Sequence, residues 1–396
     1  MKFSVLLPTR NRLEYLRYAV ETVMRQDYGN WEIIISDNCS EDDIRGFVEE
    51  LSDSRIRYLR TSSFVPVTDN WNNALNASDG DYVVMLGDDD GLLPGYFSTL
   101  LESMKLHPDP DFIYASALFY AYPGVMPDEP AGFLKQDKNA YFNASAPKWV
   151  TRDQALAIAQ GYLDFRMPVA SNMQFSLISR RKIDELKIDG KFFHSPYPDF
   201  YATPMLFMTS VRILVHPAPL VVIGITPKSY GFFHFNQQAA DGVKFLNNTA
   251  QLASHESAHS VMLPGTSYND SWLLANYALY QNHAKTWGLK TNIGNYRRLQ
   301  IVHGYKHRYF DKSLDAQAFK ILTSSMTWRE RFQYGLPFCV GFTVLSIFPA
   351  DLRRAVVGRL RRLIGQHAIS TDAKPSHGMT NLIDVYEFAD AKGLRA

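Results

Sequence analysis

Four short apolar runs in residues 1–90, with segments of helical spacing between them, constrain this fold more than any other feature. Phe3–Leu7 (FSVLL), Trp31–Ser36 (WEIIIS), Ile56–Leu59 (IRYL) and Tyr82–Leu86 (YVVML) are too short for helices. They are rich in the branched and aromatic residues that fill buried strands. After the first run, Leu13, Leu16, Ala19, Val20 and Val23 recur at the spacing of one helix face over Leu13–Met24. Glu41–Leu51 and Asn70–Ala77 read as the next two helices. The order β-α-β-α-β-α-β predicts an α/β fold with a doubly wound sheet and right-handed crossovers. Ligands of such sheets bind beyond the carboxyl ends of the strands. Asp37 closes the second run, and Asp88, Asp89 and Asp90 follow the fourth.

Beyond residue 110 the periodicity loosens. Phe112–Ala115, Val211–His216 and Val221–Ile225 read as strands, Lys148–Tyr162 as a helix and Pro123–Phe133 as a long loop. The expected organisation is a domain over 1–240, divided at 110, a helical extension over 241–366 and a loosely ordered tail over 367–396. Composition narrows function by exclusion. Hydrophobic residues make up 46% of the 396 and charged residues 20%, enough for a core and unlike a disordered or disulfide-built chain. Lys and Arg number 41 against 40 Asp and Glu, so no nucleic-acid partner is expected. Cys39 and Cys339 form no metal or disulfide spacing. The first apolar run meets Pro8 and Arg10 too early for a signal peptide, which points to a cytoplasmic protein.

Three consecutive acids after an apolar strand repel one another unless a cation or ordered donors neutralise them. A hard divalent ion held by one or two carboxylates and substrate phosphates would do so. The blander reading is a polar loop between Gly87 and Gly91. Asp37 could accept from a base or ribose donor, or cap the following helix.

Read in order, Pro8-Thr9-Arg10-Asn11-Arg12, WEIIISDNCS and GDYVVMLGDDD resemble the family 2 glycosyltransferases of GT-A fold. The resemblance is strong over 1–110, weak over 111–235 and absent beyond. It implies a mixed Rossmann-like sheet and an inverting transfer, with Mn2+ or Mg2+, of a sugar from a nucleotide-diphospho-sugar to a hydroxyl acceptor. Polysaccharide or glycolipid biosynthesis is the expected setting, with a saccharide or lipid-linked acceptor. By matching position, Pro8, Thr9, Arg12 and Asn72 lie by the nucleotide and Asp37 contacts the base. Asp89 falls on the second acid of the family's D-x-D and is the expected metal ligand. Asp90 and Asp88 assist by orienting metal-bound water, ribose or sugar. A late histidine, His234, is placed to complete the metal shell. Four positions depart from the family: Asn38 and Cys39 replace part of Asp-Asp-Gly-Ser, Gly87 stands at the first acid of D-x-D, and Pro198 precedes Asp199 where the family has Glu-Asp. Asp199 is the expected general base. His194 is its rival, and Trp149, Tyr201 and Tyr230 are candidates for stacking on sugars. The departures leave a non-catalytic nucleotide-sugar-binding protein as the alternative.

Two further patterns stand outside that frame. His255-Glu256-Ser257-Ala258-His259 matches the zinc-hydrolase pattern H-E-x-x-H, but Pro264 and Gly265 follow at once. Tyr334–Pro349 is apolar but too short to span a bilayer. Arg353, Arg354, Arg359, Arg361 and Arg362 follow it, interleaved with Leu352, Val356, Leu360 and Leu363. Residues 334–366 therefore read as an interfacial segment for the inner face of the membrane, or as a hairpin packed on its own domain or on a second subunit in a homo-oligomer.

Overall fold

The computed structural model describes residues 1–126, 129–137, 141–229, 232, 246–247, 256–309, 313–347, 374–375 and 378–394. The four apolar runs form strands β1 (Phe3–Thr9), β2 (Trp31–Asp37), β3 (Ile56–Arg60) and β4 (Tyr82–Met85). They pair in parallel in the order β3-β2-β1-β4. Helices α1 (Leu13–Met24), α2 (Ile44–Leu51) and α3 (Val67–Ala77) connect them. α2 starts three residues later than its spacing suggested, because Asp43 caps it by accepting from the Gly46 N–H.

The sheet continues antiparallel from β4 into β9 (Ser176–Ser179), β6 (Phe112–Ala121) and β7 (Phe133–Gln136). It is therefore a mixed α/β sheet. The two strands read over Val211–His216 and Val221–Ile225 are one strand, β10 (Ile213–Ile225), running parallel to β6. Its register shifts around Pro219, and an irregular ladder is where a strand tolerates residues without an N–H. β10 also carries the short strands β5 (Gly91–Leu92) and β8 (Lys148–Trp149) on its other partners. Helix α5 (Arg152–Leu163) begins after β8, where Thr151 and Gln154 form a capping box.

The boundary expected at 240 is not a packing boundary. Trp272, Leu273 and Leu279 of the helix Ser267–Leu279 join the main core, against α7 (Pro198–Thr209). The tail is likewise more ordered than its composition suggests. Lys374–Pro375 pairs with β7, and Leu382–Ala391 is a helix capped by Asn381 and Asp384. Its Leu382, Val385 and Ala389 pack in a second core with Leu93, Tyr120 and Val222, and Tyr386 donates to the Arg25 carbonyl. Among the described residues no helix is long and apolar enough to cross a membrane.

Candidate active site

The loops after β1, β4 and β10 meet above the carboxyl ends of the strands and open into a cavity of about 940 Å3. Thr9, at the end of β1, donates its hydroxyl to Asp88 at 2.7 Å, and Arg12 donates Nη1 to the same carboxylate at 2.7 Å. Asp89 accepts at Oδ2 from the hydroxyls of Thr226 and Ser229, in the loop after β10, while Arg12 Nη1 stands 3.6 Å away. Asp90 accepts from the N–H of Gly87, the N–H of Gly224 at 2.9 Å and the amide of Gln174. The three acids thus fasten three distant segments: β1, the residues before β9, and the end of β10. Two glycines permit this. A Cβ on Gly87 would collide with Asp90 Oδ2, and one on Gly224 with the Asp89 carbonyl.

Burial strips these carboxyls of water and pushes Asp88 up, although Arg12 and Thr9 act against it. Asp90 is driven well above its ordinary range, by burial first and by Asp89 next. The Arg12 guanidinium faces Asp88 and Asp89, and Arg10, Lys135 and Lys228 also line the cavity. The hydroxyls of Thr226 and Ser229 both donate to Oδ2 of Asp89, leaving Oδ1 without a donor among the described residues. Among the described residues no group of three acids, histidines or cysteines forms a protein-only metal cage. The site therefore fits a divalent ion that takes one carboxylate oxygen from Asp89 and its other ligands from phosphates and water.

Residues 4–129 match the model of Glycosyl transferase family 2. The amino-terminal half of the sheet is a family 2 glycosyltransferase fold. Two curated relatives place this match among named enzymes. The GalNAc(5)-diNAcBac-PP-undecaprenol beta-1,3-glucosyltransferase of Campylobacter jejuni is 39% identical over 104 residues, 26% of this chain and 34% of that protein. The UDP-Glc:alpha-D-GlcNAc-diphosphoundecaprenol beta-1,3-glucosyltransferase WfgD of Escherichia coli is 29% identical over 113 residues, 28% of this chain and 44% of that protein. The matched segment spans less than half of either relative. Among solved structures, S. aureus TarS 1–349 with UDP-GlcNAc aligns at a TM-score of 0.46 and 15% identity, over 78% of this chain and 92% of that one.

Within the glycosyltransferase domain, the structure sorts the expected donor-side residues into two groups. Pro8, Thr9, Arg12, Asp88, Asp89 and Asp90 all line the cavity. Asp37 and Asn72 do not. Asp37 is fully buried and holds the Ser40 N–H, the Tyr58 hydroxyl at 2.8 Å and Arg60 Nη1 at 2.8 Å. Its neighbour Asn38 lines the cavity in its place. Asn72 is saturated too: Oδ1 accepts from the N–H groups of Phe192 and Phe193, and Nδ2 donates to the Thr68 and Phe193 carbonyls. It ties residues 192–193 to α3, and Val67, Asn70 and Trp71 are the α3 residues that reach the cavity. Arg10 was not singled out; it lies over the Phe64 ring at 3.8 Å on the cavity rim and bonds the Asn38 carbonyl.

The opposite wall carries Asp199. Pro198 occupies the first turn of α7, where its missing N–H costs nothing, and Tyr197 rather than Asp199 is the cap. The Asp199 carboxylate is therefore free of the capping role that could have explained it. Its Oδ1 is shielded and has no hydrogen-bond partner. Burial among Tyr197, Phe200 and Tyr268 raises its pKa to about 7, against the helix N-terminus that would favour the charged form. Gln174, missed in the sequence, adds a second acceptor: its Nε2 holds Asp90 while the shielded Oε1 has no partner. Tyr268 belongs to the helical extension, so residues beyond 240 help to build the site.

The remaining expectations fall elsewhere. His194 faces the Lys191 carbonyl and the Tyr201 ring, and it does not line the cavity. Tyr201 is a core residue whose hydroxyl meets Asn282 and His283. Trp149 packs at the surface against His107 and Arg212. In their place, Phe64, Trp71, Phe119, Phe133, Tyr197, Phe200 and Tyr268 supply aromatic rings to the cavity. His234, Tyr230 and His255 lie outside the described residues, as do Arg353, Arg354, Arg359, Arg361 and Arg362. Glu256 and His259 sit on a helix of only four residues with His259 exposed, a poor scaffold for a zinc pair.

Proposed function

We propose that the protein is an inverting glycosyltransferase that moves a sugar from a nucleotide-diphospho-sugar to a hydroxyl group, with Mn2+ or Mg2+ as cofactor. One observation carries this reading: a single cavity holds Asp89 on one wall and Asp199, with its Oδ1 unpartnered, on the other. Sugar transfer with inversion needs that pairing, because charge leaves on the diphosphate while a proton leaves from the acceptor. Asp89 would hold the ion, which would neutralise the departing diphosphate and orient it. Arg12 adds a fixed positive charge beside the same phosphates.

Asp199 would take the proton of the acceptor hydroxyl. Its raised pKa suits that task, since a base works best when its pKa lies near the working pH. The wall of Tyr197, Phe200 and Tyr268 would exclude water and offer ring faces to the sugar. Unpartnered acceptors on Asp199 and Gln174 ask for a ligand that donates, and a sugar brings several O–H groups. The relatives' names concern undecaprenol-linked acceptors; we carry over a lipid-linked saccharide acceptor, met at the cytoplasmic face of a membrane.

Release of nucleoside diphosphate from UDP- and GDP-sugars tests the reading. It should require Mn2+ or Mg2+ and vanish in Asp89→Ala. Binding of nucleotide sugars with no turnover toward any acceptor would instead identify a binding protein.

A further inference from the structure

The helical extension ends in an apolar face that the fold leaves uncovered. A helix runs through Arg331–Gly335 and Leu336–Ile347, preceded by the capped turn Trp328–Glu330. On one side Gly335, Tyr334 and Phe338 pack on a small core of Tyr305, Leu322 and Met326, with the Tyr305 and Phe338 rings stacked at 5.6 Å. On the other side Trp328, Phe332, Leu336 and Val340 follow at four-residue spacing and are 74%, 67%, 49% and 53% exposed. Exposed large side chains scattered singly need no explanation; four on one side of one element do.

The element is held rigidly in this attitude. Arg297 grips both carboxylate oxygens of Glu330, at 2.7 and 2.8 Å, and Arg331 donates to the Met326 and Thr323 carbonyls. Between 313 and 340 the exposed cations are Lys320, Arg329 and Arg331; of the acids there, Asp315 caps the helix Ala316–Ser325 and Glu330 is neutralised by Arg297. In sequence the chain then runs on to five arginines between 353 and 362.

We propose that the Trp328, Phe332, Leu336 and Val340 face docks on an anionic lipid surface. The inference rests on the reading above for its purpose, since a lipid-linked acceptor brings its sugar to such a surface, but not for its physics. An amphipathic element with aromatic and aliphatic residues on one face and cations beside it settles at the headgroup boundary. Trp and Phe gain by burying their rings there, and each nearby Lys or Arg gains from anionic headgroups. A second copy of the chain fits less well, because a two-fold contact would set the same cations against each other.

Flotation of the full chain with vesicles of phosphatidylcholine, with and without phosphatidylglycerol, tests it. The protein should rise with the anionic vesicles and largely stay down with the neutral ones. Phe332→Ser with Leu336→Ser should lower the floated fraction about tenfold, and so should Lys320→Glu with Arg329→Glu. All four side chains are exposed, so melting temperature and donor hydrolysis in solution should be unchanged. A wild-type protein that stays down with both vesicles overturns the proposal, as does flotation indifferent to both pairs of substitutions. A dimer in light scattering that Phe332→Ser with Leu336→Ser dissolves, without flotation, assigns the face to a second copy. Loss of donor hydrolysis with flotation intact would count against the enzyme reading and leave the surface standing.

Discussion

Asp90 and Asp199 line the same cavity, yet the fold treats them in opposite ways. Asp90 is surrounded by donors: two backbone N–H groups and an amide converge on it and join three segments of chain. Asp199 is buried against rings, and its Oδ1 is left without a donor. A satisfied carboxylate stabilises the structure around it, whereas an unsatisfied one costs stability and is available to a ligand. The comparison teaches that acidity and burial alone do not mark a working residue; what distinguishes the two is where their hydrogen bonds are spent.

The sharpest way to break that contrast is Asp199→Asn. Sugar transfer should fall by about 10²–10⁴-fold with nucleotide-sugar binding retained. Its pH dependence has a definite sign. The carboxyl is raised from 3.8 to about 7 in the folded protein, so transfer should climb with pH through about 7 as the base is exposed. Stability runs the other way, since the native state holds the proton more tightly and is penalised as pH rises from 3.8 to 7. Above pH 7, Asp199→Asn should therefore melt a few degrees higher than the parent, by roughly 1–3 °C. Equal activity, or a lower melting point, would place Asp199 with the structural acids.

Asp90→Ala should do the reverse. It strands the Gly87 and Gly224 N–H groups and the Gln174 amide, at a cost of about 2–4 kcal/mol read by chemical denaturation. Asn72→Ala should follow at about 1–3 kcal/mol, because four hydrogen bonds to Thr68, Phe192 and Phe193 go with it. If its loss weakened nucleotide binding far more than stability, Asn72 would belong to the binding surface after all. The smallest effect is expected at Cys39, whose φ of 58° is a left-handed conformation that favours glycine. Cys39→Gly should relieve that strain, and its own backbone entropy, to a net change within about 1 kcal/mol of zero.

How much of this was legible in the sequence follows the same division. Strands β1, β2 and β4 announced themselves because a strand buried on both faces must be apolar throughout, and α1 because its buried face repeats every turn. The acid cluster and Asp199 stood out by residue type. Hydrogen-bond partners did not, since those of Asp89 and Asp90 lie more than eighty residues away in Gln174, Gly224, Thr226 and Ser229. Asn72 and Asp37 carried the right chemistry, but nothing local revealed that the protein uses it on itself. β10 was split in two because prolines normally end a strand, and only a parallel partner with a shifted register accommodates them. Tyr268 was invisible for a plainer reason: helical spacing says which face is apolar but not what that face meets.

The collision awaiting any side chain at Gly87 limits how this protein can be engineered. Restoring the family's first acid by Gly87→Asp looks like an improvement on paper. Here the new Cβ would meet the Asp90 carboxylate, and one more negative charge would enter beside Asp88, Asp89 and Asp90. That substitution should give a poorly folding variant, because the Asp90 side chain already fills the space a side chain at 87 would need.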